Sequence, residues 1–463
     1  MSTSIDLSLP VPTPTLPVAE VKTGVFENDF KINREDLLRV KSHFVEEVKN
    51  GLSNASSSLA MLPGYVSSLP TGDEKGKFLL VMIDEATLGV GAVTFVGGRK
   101  YELALQKYVV DANARENAKK LFSFVANCLA FLLNELHIPL NSNLPLAASL
   151  AFPLSHQGVG KGQVLSFCKG FRVPGLLSRD IGELLFEAFK KKGIVADILT
   201  IQNDTITSLL AHAYSVCSQT TIGCFIDSGT NIAYLDSLEQ LPKWKSLLGV
   251  DKMIFNTECG GFNVEGAQVK RNKFDLKIDE ESHLPGLQRF EKMTSGMYIG
   301  EIVRLAMESM VLKGVLFGGK LPNDLSTPYL FDFEQMIVME SDKSPDLLTV
   351  KRLLKHTLNI STSISDREIV KCLCQQVCTR AASLVGACLA GLIERHIQND
   401  PEKIVSVSLD GRVLHQYHQY HHRLCSTVRD LLGENGDKVR FGLVENLSVG
   451  AGVGAMLQFK LRC

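Results

Sequence analysis

The pair Asn203-Asp204 stands where an apolar run, residues 197–201, gives way to a helical pattern that continues through Tyr214. A carboxylate at such a junction points into the crevice beyond the strand end, where it can take a proton from a bound hydroxyl. Taken alone, Asp204 also has a plain structural role, because Asp is a good helix N-cap. Other polar turns follow strands: Asp227-Ser228-Gly229-Thr230 comes after residues 220–226, and Asp410-Gly411 after residues 404–409. Gly450-Ala451-Gly452-Val453-Gly454 opens the last helical stretch. His415, His418, His421 and His422 lie at helical spacing, with Tyr417 and Tyr420 between them. Three of them on one face could bind zinc, but no Cys or acidic partner at zinc-finger spacing accompanies them, so a polar helix face is the expectation.

The elements that must position these groups follow from apolar spacing. Residues 34–59 carry Leu37, Leu38, Val40, Phe44, Val45, Val48 and Leu52 at helical intervals. Residues 78–83 and 89–96 read as strands, with Gly97-Gly98 closing a hairpin. Residues 112–136 form a long helix, residues 146–152 and 197–201 apolar strands, and residues 295–316 and 369–397 further helices. Strands alternating with helices, with polar turns at the strand ends, predict an α/β architecture that holds ligands at those ends. No internal repeat at a fixed period is visible.

A chain of 463 residues is too long for one ordinary core, so two domains or one bilobal unit is expected. Apolar residues make up 45% and charged residues 21%, as in ordinary globular proteins. The formal net charge of -1 argues against a nucleic-acid partner. The 11 cysteines are scattered, which fits reduced thiols and a cytoplasmic setting. No apolar run approaches the ~18 residues of a membrane span. Pro10, Pro12, Pro14 and Pro17 give residues 1–30 the character of a flexible arm.

Arg289-Phe290-Glu291-Lys292-Met293-Thr294-Ser295-Gly296-Met297-Tyr298-Ile299-Gly300-Glu301-Ile302-Val303-Arg304 resembles the signature of the eukaryotic hexokinase family almost letter for letter. Leu316-Phe317-Gly318-Gly319-Lys320 and Thr327-Pro328-Tyr329-Leu330-Phe331-Asp332 are similar to the family pattern too, and the resemblance runs from about Leu62 to the end. It implies that Asp204 is the catalytic Asp, taking the proton of a sugar's primary hydroxyl. Asn256-Thr257-Glu258-Cys259-Gly260-Gly261-Phe262 resembles the family's Asn-x-Glu-Trp-Gly-x-Phe segment, so Asn256 and Glu258 would bind sugar hydroxyls. Glu291, Lys169 of Cys168-Lys169-Gly170-Phe171, Asn203 and Asn231 complete the implied sugar site. Amide and carboxylate oxygens accept from hydroxyls in fixed directions, which suits a polyol. Ala151 before Phe152-Pro153, and Cys168 before Lys169, stand where the family has Ser and Thr. Each lost hydroxyl costs roughly 0.5–1.5 kcal/mol if no water substitutes.

The implied nucleotide side departs further. Met82 stands for the family's magnesium-associated Asp, Asp84 and Glu85 for its two glycines, and Thr87 for its Asn. Glycines serve there because the backbone approaches phosphate closely with its amides exposed. A carboxylate ~4 Å from a phosphate costs on the order of 4 kcal/mol at an effective dielectric of 20. Asp227 of Asp227-Ser228-Gly229-Thr230-Asn231 likewise replaces a glycine, and Ser408-Leu409-Asp410-Gly411-Arg412-Val413 keeps part of the family's Gly-Val-Asp-Gly-Ser-Val. The nucleotide contacts implied by resemblance are thus Asp84, Thr87, Ser228, Gly229, Thr230, Asp410, Gly411, Gly450 and Gly452. Asp84 is the one candidate to coordinate magnesium in place of the missing Asp.

The implied fold is α/β, the two-lobed actin-like ATPase fold of hexokinases with a central cleft. Residues 1–30 would be the arm, 31–75 a helix and connection of the large lobe, and 76–209 the small lobe. Residues 210–447 would form the large lobe and 448–463 a C-terminal helix returning to the small one. Three functions follow. The first is a hexose-binding protein, glucose being the expected ligand, with weak or lost phosphotransfer and a regulatory protein partner in carbon sensing, cytoplasmic or nuclear. The second is a working hexose or amino-sugar kinase using ATP with Mg2+. The third is a structural interaction protein with a relic cleft. The acidic turns favour the first over the second, and the retained Asp204, Asn256, Glu258 and Glu291 weigh against the third.

Overall fold

Two β-sheets laid out on one plan organise the computed structural model, which describes residues 27–53, 56–167, 171–239, 241, 244 and 249–462. Almost all of the arm expected at 1–30, and Lys169 with its neighbours Cys168 and Gly170, lie outside the described residues. The first sheet contains β2 (Lys75–Ile83), β3 (Thr87–Gly97), β4 (Lys100–Val109), β5 (Leu144–Leu150) and β8 (Ala196–Asn203), in the order β4-β3-β2-β5-β8. The second contains β9 (Thr220–Ile226), β10 (Thr230–Ser237), β11 (Lys252–Asn256), β12 (Val405–Asp410) and β13 (Val439–Leu443), with β1 (Leu62–Pro63) added at its edge beside β11. A two-stranded ribbon, β6 (Leu154–Gly158) and β7 (Lys161–Val164), stands apart.

In each sheet an antiparallel meander of three strands comes first, and two further strands then add in parallel beside the first of the three. The sequence showed no repeat, yet the topology is repeated, since a shared strand plan needs matched apolar faces and not matched residues. One consequence decides the site. The β2–β3 turn and the β9–β10 turn occupy equivalent places in the two sheets.

The helices are α1 (Glu27–Phe30), α2 (Arg34–Ser53), α3 (Ala118–Glu135), α4 (Ile181–Lys192), α5 (Asp204–Ser215), α6 (Lys273–Glu281) and α7 (Arg289–Thr294). Beyond them come α8 (Gly296–Leu312), α9 (Phe333–Ser341), α10 (Leu348–Leu358), α11 (Ile364–Asn399), α12 (Arg412–Gln416), α13 (His418–Leu432) and α14 (Leu447–Arg462). Expected boundaries shift where caps intervene. The helix expected from 112 starts at Ala118, because Asn117 accepts from the Lys120 amide at 2.9 Å. The helix expected at 369–397 spans Ile364–Asn399, because Ser363 and Asp366 form a capping box. The single helix expected at 295–316 ends at Leu312 and is separated from α7 by Ser295 in extended conformation. The helix expected at 34–59 stops at Ser53.

Three cores result. Helices α3 and α4 bury one face of the first sheet through Leu121, Phe122, Val125, Leu129, Leu185 and Phe189. The second sheet packs on α2, α8, α11 and α13. The third core joins the sheets: α5 and α14, each following the last parallel strand of its sheet, pack with Phe78, Leu80, Val93 and Phe95 on one side and Ala233 and Ile254 on the other. Against the expectation of no membrane-length apolar run, α11 is long and apolar enough by composition, but 89% of that stretch is buried inside the protein. It is a core helix.

Candidate active site

The strand-to-helix junction at β8–α5 divides its two polar residues between two roles. Asn203 is the N-cap: its side-chain oxygen accepts from the Thr205 amide at 2.9 Å, and its amide group donates to the Phe152 carbonyl at 3.2 Å. Asp204 is therefore released from capping and stands at the positive end of the helix, where a carboxylate is favoured. It lines both parts of the cleft between the sheets. One part is bounded by Phe152, Pro153, Asn203, Asn231, Glu258, Gln288 and Glu291, and the other, of ≈ 340 Å³, lies toward the two equivalent turns.

In the first part four of the expected sugar ligands, Asn203, Asn231, Asn256 and Glu258, are linked by hydrogen bonds. The Asn231 amide donates to Asn256 Oδ1 at 2.8 Å, and the Asn256 amide donates to Glu258 Oε1 at 2.7 Å. Glu258 is held with φ at 54°, a left-handed conformation uncommon for a non-glycine residue, and its own N–H donates to Asn256 Oδ1 at 3.1 Å. Glu291 accepts from the Thr230 amide at 3.2 Å, which ties α7 to the start of β10. Asn203, Asn256 and Glu291 are all buried. Such burial of oxygen acceptors beside a small cavity pre-orients them for hydroxyl donors. The structure thus brings Asp204, Asn203, Asn231, Asn256, Glu258 and Glu291 together.

The second part is acidic. Asp84, Glu85, Asp204, Asp227 and Glu445 line it, with Lys107 the cation among the lining residues. Thr87 and Ser228 line it as expected of nucleotide contacts, whereas Gly229 and Thr230 fall on the sugar side. The Asp84 N–H donates to the Thr87 carbonyl at 2.9 Å, the Glu85 N–H to Asp84 Oδ1 at 2.6 Å, and the Asp227 N–H to the Gly229 carbonyl at 2.9 Å. The Asp227 carboxylate accepts from Arg412 Nε at 2.7 Å. The Ser228 hydroxyl reaches across the cleft to Glu85 Oε1 at 3.0 Å. Burial opposes the charged form of Arg412, but Asp227, Glu334 and Asp84 together hold its pKa above the ordinary guanidinium range.

This arrangement does not fit a magnesium-bound triphosphate as it stands. The Asp84, Glu85 and Asp227 amides are used within the turns, and carboxylates face the space. Asp84 itself is exposed, and among the described residues no group of three or more His, Cys, Asp or Glu is placed to hold a metal ion. The remaining expected nucleotide contacts have other neighbours. Asp410 Oδ1 accepts from the Gly411 amide at 2.7 Å and from His415 Nε2 at 3.1 Å, and this bond raises the pKa of His415 above its ordinary value. Gly411 has φ at 96° and presses on the Ile226 carbonyl. Gly450 and Gly452 do not line the cleft: Gly450 lies against the Thr207 carbonyl of α5, and Gly452 against Val93 and Phe95 of β3. Both are packing glycines. Of the histidine cluster, His415 is drawn to Asp410, and burial lowers the pKa of His421.

Residue-by-residue reading of the sequence missed Gln288, Lys107, Glu445, Ser149 and Arg412. Gln288 has a signal in hindsight, since it directly precedes the Arg289–Arg304 segment and is held with φ at 51°. Lys107 has none: it lies on an otherwise half-exposed strand.

Two family models, both described as Hexokinase, match residues 22–214 and 221–458. Hexokinase-2 of Candida albicans is 30% identical over 437 residues, covering 93% of this chain and 89% of that protein. Hexokinase-9 of Oryza sativa subsp. japonica is 31% identical over 441 residues, covering 91% of this chain and 86% of that protein. The solved structure of a hexokinase from Schistosoma mansoni complexed with glucose superposes with a TM-score of 0.84 at 27% identity, covering 94% of this chain and 98% of that one. The two-lobed actin-like fold is therefore that of hexokinases, and the chain belongs to the hexokinase family.

Proposed function

We propose that this chain binds a hexose of the glucose type in the cleft and closes on it, with phosphoryl transfer to the 6-hydroxyl weak or lost. The closed state would then be what a regulatory partner protein reads. The observation that carries this is the contrast between the two parts of one cleft. Five sugar-type ligands, Asn203, Asn231, Asn256, Glu258 and Glu291, gather beside Asp204, while the phosphate turns present Asp84, Glu85 and Asp227. Asp204 is the group placed to accept the hydroxyl proton, and closure would exclude water around it. Glucose in the S. mansoni hexokinase structure supports the choice of sugar.

A working kinase is the second reading, favoured by the place of Asp204 in both parts of the cleft and by Arg412, which offsets the charge of Asp227. The deciding experiment is formation of hexose 6-phosphate by purified protein at millimolar MgATP over a panel of hexoses, with Asp204→Ala beside it. Turnover in the wild type that falls by about 10²-fold or more in Asp204→Ala makes the chain a kinase. Glucose-induced compaction in small-angle scattering with negligible turnover is the expected result. Absence of both compaction and glucose binding would sink the sugar-binding reading.

A further inference from the structure

The β2–β3 and β9–β10 turns hold equivalent places in two sheets of one plan, and in this chain they are joined directly across the cleft. The donor is the Ser228 hydroxyl of the second turn, and the acceptor is Glu85 Oε1 of the first, 3.0 Å away. A phosphate lodged between two such turns would accept from a hydroxyl and from backbone amides of both. Here carboxylate oxygens accept instead. Glu85 takes the hydroxyl, Asp84 Oδ1 takes the Glu85 N–H at 2.6 Å, and Asp227 takes Arg412 Nε at 2.7 Å. Arg412 is further fixed by the Phe333 ring, whose centroid lies 5.7 Å from the guanidinium carbon, and by Glu334 at 3.8 Å. The second turn is itself braced from behind, because the Gly296 N–H donates to the Asp227 carbonyl at 2.7 Å. Three donors at the two turns, the Ser228 hydroxyl, the Glu85 N–H and Arg412 Nε, are thus satisfied by carboxylates that belong to the chain.

We infer that Glu85 is an internal occupant of the phosphate position: its carboxylate bridges the two turns in place of a nucleotide phosphate. Two effects follow. The lobes engage one another without nucleotide, so hexose-driven closure is independent of ATP. A nucleotide phosphate must displace Glu85 from Ser228 and also meet its negative charge. The inference rests on the hexose-binding reading only in taking the cleft to be one that closes.

The test compares wild type, Glu85→Gly and Ser228→Ala. Calorimetric titration with MgATP gives affinity, glucose titration of the same samples verifies the sugar site, and small-angle scattering gives the sugar-free radius of gyration. Removing a carboxylate from beside the phosphate is expected to tighten MgATP binding by about tenfold or more in Glu85→Gly, after allowance for solvent screening. Ser228→Ala, which removes only the bridging hydroxyl, is expected to enlarge the sugar-free radius. MgATP bound no more tightly by Glu85→Gly than by wild type overturns the inference, as does an unchanged radius in Ser228→Ala. Should Glu85→Gly fail to fold, Glu85→Gln removes the charge at constant size; a gain in MgATP affinity is expected, and none overturns the inference. Failure of glucose to bind the wild type would sink the hexose reading while leaving the MgATP comparison decisive here.

Discussion

At the level of single residues, the site turns on which side chains are held by their own neighbours and which are left facing the cleft. Asn203 caps α5, while Asp204 accepts from the Thr205 hydroxyl at 3.3 Å and lines the cleft, a division that the sequence left open because either residue can cap a helix. Glu258 does more than line the cavity, since it accepts from the Asn256 amide at 2.7 Å and from the Asn231 amide at 3.5 Å. In Glu258→Ala both amides lose a charged acceptor and a sugar hydroxyl loses its own. Hydrogen bonds to charged groups contribute about 1.5–3 kcal/mol, so glucose affinity should fall roughly ten- to a hundredfold, measured by calorimetry. A second expectation concerns pH. The bond from His415 to Asp410 raises the histidine's pKa above its ordinary 6.5. The stabilisation is therefore complete below 6.5 and fades as pH rises through the raised folded-state value. Thermal midpoints taken across that window should show this loss in the wild type and lack it in His415→Gln.

Among the elements, the strands and helices with clear apolar periods were legible, and so were the turns that end them. Strands β10, β11 and β13 were not read from the sequence. Strand β13 alternates Val439, Phe441 and Leu443 with Arg440 and Gly442 but over only five residues, too short a run to stand out, and β11 is short with four of its five residues buried, so it shows no alternation. The glycines after Leu447 were legible as special but not as to why. Resemblance put Gly450 and Gly452 at a nucleotide, whereas the structure puts Gly450 where α14 crosses α5, so close that a methyl group would overlap the Thr207 carbonyl. A helix crossing of this kind leaves no sign in one helix's sequence, because the partner lies more than two hundred residues away. Gly450→Ala should force the two helices apart. Overpacking of this kind costs about 1–3 kcal/mol, and the loss should appear in chemical denaturation. Because α5 carries Asp204 in its first turn, glucose affinity should fall in the same variant.

Taken as a whole molecule, the chain joins its lobes through a core that includes α5, and histidines on and around that helix shape how it responds to acid. His212, on α5, is hydrogen-bonded through Nδ1 to the Thr220 hydroxyl at 2.7 Å, and burial lowers its pKa to about 4. Burial also lowers the pKa values of His156, whose Nε2 lies 2.7 Å from the Ile201 carbonyl, and of His396 on α11. Each is neutral when folded and protonates more readily when unfolded. Stability from this source is complete above the ordinary value of 6.5 and is lost as pH falls toward 4, the opposite sense to His415. His212, His156, His396 and His421, all with lowered pKa values, against the raised value of His415 make the acid limb the steeper. The residues involved tie this limb to the cleft: His212 sits on the helix that begins with Asp204, and His156 is bonded to β8, the strand that ends at Asn203. Acid should therefore loosen the lobe junction before it unfolds the large lobe. Between pH 6.5 and 4, glucose-induced compaction in small-angle scattering should disappear at a higher pH than the far-ultraviolet helical signal. Coincident loss of the two would show that the junction is no weaker than the lobes it joins.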